Sequence, residues 1–67
     1  MPDLLPERPI DLRQQIEAVE REIHMREKVY PDWVARKRMR PEKADYELKA
    51  MRAVLATLTK LRDGANG

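Results

Sequence analysis

Cysteine, serine and phenylalanine are absent from this 67-residue chain, glycine occurs twice and tryptophan once. The lack of cysteine excludes a disulfide framework, a thiolate metal site and a cysteine nucleophile, and nothing points to an oxidising compartment. Without serine the only aliphatic hydroxyls are Thr57 and Thr59, which lie in a helical pattern with no histidine in the same segment. Long apolar runs are missing too. The longest is Ala53-Val54-Leu55-Ala56, far short of a membrane span or a signal-peptide core. These absences make catalysis improbable and predict a soluble, cytoplasmic protein without a cofactor.

Charge, in contrast, is plentiful and unevenly placed. The chain carries 14 Lys/Arg and 12 Asp/Glu, a formal charge of +2. Residues 1–31 hold 5 basic and 7 acidic groups, residues 32–43 hold 5 and 2, and residues 44–67 hold 4 and 3, so the segments stand at −2, +3 and +1. The basic character is concentrated mid-chain. Such a length admits one small domain, with a core too slight for much stability in isolation.

Met1 to Pro9 contains three prolines and no periodicity, so residues 1–10 are expected as an extended arm. Asp11 is a suitable N-cap for a first helix. Leu12, Ile16, Val19, Ile23, Arg26 and Tyr30 follow at alternating spacings of four and three, a heptad-like seam with one polar member. Glu17 with Arg21, and Glu22 with Arg26, stand four apart in the favourable order for surface ion pairs. Pro31 disfavours helical geometry at Tyr30 and cannot donate to residue 27, so the helix is expected to end or kink at 29–31. Residues 32–38 then form a short third helical turn or a kinked continuation, with a tight loop at Met39-Arg40. Pro41 is placed as the first residue of the second helix, with Glu42 in its first turn.

In that second helix Ala44, Leu48, Met51, Leu55, Leu58 and Arg62 repeat the spacing of the first. Gly64 is expected to terminate it, leaving 64–67 as a frayed tail. Two equal seams and a short connector predict an all-α fold, an antiparallel helical hairpin over residues 11–63. In this register Ile16 faces Leu58, Val19 faces Leu55, Ile23 faces Met51 or Leu48, and Tyr30 lies near Ala44. A second apolar stripe at Ala50, Val54 and Leu61 flanks the first on helix two. One partner helix cannot cover both stripes, so the core is expected to be completed by homo-oligomerisation, with Ala50, Val54 and Leu61 at the interface.

The elbow from Val29 to Pro41 holds the sole Trp and, with Lys43 added, five of the fourteen cations. Tyr30 and Trp33 either plug the open end of the hairpin or offer a ring to a ligand. Arg36, Lys37, Arg38, Arg40 and Lys43 either form a solvated loop or contact phosphates. No glycine-rich phosphate loop, zinc spacing or nucleic-acid fold motif accompanies them. The single histidine, His24, has Glu20 and Lys28 at i−4 and i+4 and reads as a surface or interface residue. His24, Glu20 and Glu27 are too few to hold a metal from one helix.

Met25 through Val34-Ala35, then Arg38-Met39, Glu42-Lys43-Ala44-Asp45 and Met51 through Leu58, resemble a group of small uncharacterised accessory proteins of bacteriophages and prophages of proteobacteria. Their shared pattern is an aromatic-Pro-x-Trp-Val elbow, a Lys/Ala/Asp helix start and a Leu-rich second helix, and it covers about half of this chain. Lys37 stands where these sequences tend to have Gly, and Arg40 where they tend to have a Ser or Thr cap. The resemblance implies a phage accessory protein acting in the host bacterial cytoplasm, and it supplies no catalytic or binding residues. Such proteins commonly act by stoichiometric binding. The expected function is therefore a non-enzymatic counter-defence factor that sequesters an anionic nucleotide signal or blocks a host protein. The alternative is a nucleic-acid-binding accessory factor for phage replication or recombination.

Overall fold

The computed structural model describes residues 9–66, with side-chain environments for residues 9–64. The expected arm over residues 1–8, and Gly67 of the expected tail, lie outside the described residues. Two helices, α1 (Leu12–Ala35) and α2 (Pro41–Asn66), are joined by the connector 36–40. They pack on each other as an all-α hairpin, the fold class expected from the paired seams. Neither helix is long and apolar enough to cross a membrane.

Helix α1 starts where the cap signal placed it. The extended Asp11 accepts from the Gln14 backbone N–H at 2.8 Å, and the Gln14 side chain accepts from the Asp11 N–H at 2.9 Å. This is a complete capping box, closing two of the donors that a helix start leaves open. The Asp11-x-x-Gln14 spacing is the sequence signal of the box.

The helix does not end at 29–31: α1 runs through Pro31 for one further turn to Ala35, which agrees with the other expectation, a continuation past the proline. Proline removes a single donor, here the bond to Glu27, and the burial of Tyr30 favours helical geometry across that gap. Residues 32–35 are thus the last turn of α1, and the non-helical connector is longer than Met39-Arg40. The expected stop at Gly64 also does not occur. Gly64 has no positive φ and sits inside α2, which is helical to Asn66. Glycine ends a helix where it adopts the left-handed region, and Gly64 does not. Pro41 and Glu42 do open α2 as expected.

The core is thin. Ile16, Ile23 and Tyr30, seven residues apart on α1, are buried with Ala44 of α2, and among the described residues no side chain is fully enclosed. The other seam positions, Leu12, Val19, Arg26, Leu48, Met51, Leu55 and Leu58, are half-buried, whereas Arg62 is exposed. Tyr30, Ala44 and Leu48 line one cleft near the elbow, in keeping with the expected placement of Tyr30 beside Ala44. Two ion pairs bridge the helices on either side of the seam. Arg26 reaches Glu47 at 3.6 Å on one face, and Glu27 reaches Arg52 at 2.7 Å on the other.

Candidate functional site: the cationic connector

The chain reverses direction through a helix-terminating turn built at Arg36-Lys37-Arg38. The Arg38 N–H donates to the Trp33 carbonyl at 2.8 Å and the Lys37 N–H to the Val34 carbonyl at 3.0 Å. These are the two bonds of a Schellman motif, with Lys37 at the position where the backbone must turn left-handed. Lys37 has a φ of 59°, the only positive value outside glycine among the described residues. Glycine adopts this geometry without cost, whereas a residue with a Cβ does so at about 1 kcal/mol. The strain therefore falls on a cation in the middle of the candidate site.

Four of the five connector residues, Arg36, Lys37, Arg38 and Arg40, are cationic, and all four are exposed. Their surroundings differ. Arg36 Nε lies 3.2 Å from Asp32 Oδ1, and Lys43 Nζ lies 3.0 Å from Glu47 Oε1, so both have a carboxylate on their own helix. Lys37, Arg38 and Arg40 make no ion pair among the described residues. The candidates thus separate into two neutralised cations at the flanks and three uncompensated ones in the loop. The latter three bracket the negative end of α1, which favours nearby cations.

The two aromatic candidates also part company. Tyr30 is buried beneath the elbow, with only a small part of its surface at the wall of a cleft. Trp33 packs against it with ring centroids 5.8 Å apart and an interplanar angle of 38°, yet keeps 42% of its surface exposed. On the opposite face Pro31, Val34, Pro41, Ala44 and Leu48 line an apolar cleft of about 500 Å³. Sequence spacing did not single out this cleft, because it arises only where the two helix ends converge.

Arg26, the polar member of the seam, is the hub of a network. Its Nε donates to Glu22 Oε1 at 2.7 Å, and Glu47 accepts from Lys43 as well as lying near Arg26. The Glu22 hydrogen bond holds the guanidinium pKa above its usual value, outweighing partial burial, with Tyr30 and Glu47 adding to the effect. The sequence expectation of a Glu22–Arg26 pair is met, while Glu17 lies 3.6 Å from Arg13 and not beside Arg21. Both alternatives are exposed one-turn pairs of similar small value, so surface rotamers choose between them.

His24 is exposed and borders a shallow depression of about 480 Å³ with Glu17, Glu20, Arg21, Ile23 and Leu55. Among the described residues no group of three His, Asp or Glu side chains is disposed to hold a metal ion. Ala50 on the second stripe of α2 is half-buried, while Val54 and Leu61 are 45% and 57% exposed. No protein-family model, curated protein or solved structure matches this chain.

Proposed function

We propose that this protein is a non-enzymatic, self-associating helical binding protein whose connector holds a phosphate-bearing anion. The observation that carries the reading is the set of three uncompensated cations, Lys37, Arg38 and Arg40, on one five-residue turn closed by a strained Lys37 backbone. Arginine offers forked donors suited to phosphate oxygens, and lysine adds a mobile point charge. Strain retained at an exposed turn is a recurring mark of functional positions. Arg36 and Lys43, each already facing a carboxylate, widen the positive field and contribute less to contact.

The resemblance to phage accessory proteins supports placing this activity in counter-defence, by sequestering a nucleotide signal or blocking a host protein. The alternative, phosphate contact along a nucleic acid, uses the same three side chains. A titration separates the two. Nucleotide sequestration predicts saturable binding of a mononucleotide or cyclic dinucleotide at fixed stoichiometry, measured calorimetrically. Nucleic-acid binding predicts that log K falls steeply with log salt, and that the triple Lys37→Ala, Arg38→Ala, Arg40→Ala variant loses about two to three units of that slope. A folded triple variant that keeps full affinity for every anion removes the connector as the site.

A further inference from the structure

Of the six large apolar residues exposed among the described residues, three, Trp33, Val54 and Leu61, share one face of the hairpin, while Ile10, Met25 and Tyr46 lie off it. The Arg26–Glu47 bridge marks that face. Trp33 stands seven residues after Arg26, and Val54 and Leu61 stand seven and fourteen after Glu47. Seven residues return a helix to nearly the same side, so Trp33, Val54 and Leu61 lie on the bridge side of the seam. Along this face Trp33 and Lys43 sit at the elbow end, Glu22, Arg26, Glu47 and Val54 nearer the middle, and Leu61 toward the open end.

We infer that a second copy of this chain covers this face in an antiparallel two-fold dimer, Trp33 of each protomer reaching Leu61 of the other and the two Val54 side chains meeting near the two-fold axis. The inference rests on the self-association proposed above and adds its geometry. Charge selects the antiparallel arrangement. A parallel dimer would gather two sets of Lys37, Arg38 and Arg40 at one end. The antiparallel one separates them by about 36 Å, the length of 24 helical residues and several Debye lengths. It also sets each cationic elbow beside the partner's open end, where residues 11–23 hold four acids and two bases (−2) and residues 54–64 hold one acid and two bases (+1). From Lys43 to Glu22 the face holds two acids and two bases already paired with one another, so it carries no net charge into the contact. The face is about 36 Å long and two helix diameters wide, roughly 700 Å², close to the 800 Å² per partner of an ordinary specific interface. The dimer then carries two separate anion sites, one at each end, and Trp33 belongs to the interface and not to either site.

The absence of native cysteine allows single spin labels at Ala35→Cys, by the elbow, and Lys60→Cys, toward the open end, neither of them on the bridge face. Pulsed electron–electron distance measurements should give a long separation, about 35–40 Å, between two labels at residue 35. Mixed protomers labelled at 35 and at 60 should give a short one, under about 25 Å. A short 35-to-35 distance overturns the antiparallel arrangement while leaving self-association standing. A monomeric mass at all concentrations, with no dipolar signal, overturns both. Trp33 emission in the unlabelled protein should shift to the blue as concentration rises through dimerisation, and an invariant spectrum across a proven dimerisation removes Trp33 from the interface.

Discussion

At the residue scale, Lys37 is the position where local geometry and side-chain chemistry disagree. Its left-handed backbone suits glycine, and its charge is one of three in the connector that have no carboxylate partner among the described residues. Lys37→Gly should raise stability by about 1 kcal/mol through relief of strain, less a few tenths for the charge lost from the end of α1. Lys37→Ala removes the charge and keeps the strain, so the difference between the variants' melting temperatures isolates the backbone contribution. Equal melting temperatures would show that the turn is not strained. Asp11 makes the opposite case, of agreement at every level. Asp11→Ala opens the capping box and should cost about 1 kcal/mol in thermal or urea unfolding.

At the scale of the element, the passage of α1 through Pro31 sets the expectation for its replacement. In Pro31→Ala the helix regains a donor to the Glu27 carbonyl, which should stabilise the hairpin by about 1–2 kcal/mol, the loss of the proline ring from the apolar cleft offsetting part of the gain. Because residues 32–35 are already helical, the emission spectrum of Trp33 should stay unchanged. A shifted spectrum would mean that the last turn is reoriented and that Pro31 had separated it from the rest of α1. The bridges across the seam belong to this scale as well. Arg26, Glu47, Glu27 and Arg52 are all at least a quarter exposed, so each inter-helix pair contributes less than about 1 kcal/mol and serves chiefly to mark the register.

At the scale of the whole molecule, four buried side chains are a meagre core for two helices of 24 and 26 residues. The self-association proposed above would supply burial that the hairpin lacks. Val54→Glu or Leu61→Glu should therefore lower the association state and the melting temperature together, seen as a loss of mass in light scattering and a loss of the concentration dependence of unfolding. A variant that stays assembled, or a wild type whose melting temperature ignores concentration, would place the stabilising surface elsewhere.

Short-range signals were enough for the helices themselves. The alternating spacing of apolar residues, the Asp11 cap and Pro41 at the start of α2 each act within one or two turns, and the hairpin follows from two matched seams and a short connector. Tertiary structure decided the points where a local preference is weak against burial. Pro31 withholds one bond, which packing of Tyr30 overrides, and Gly64 permits a turn without imposing one. The candidate site divides in the same way. The cluster of cations is visible as composition, but their separation into Arg36 and Lys43, held by Asp32 and Glu47, and the uncompensated Lys37, Arg38 and Arg40 depends on rotamers and on where α1 ends. Likewise, the burial of Tyr30 and the exposure of Trp33 are set by which side of α1 meets α2, a relation between helices that neither stretch of sequence contains alone.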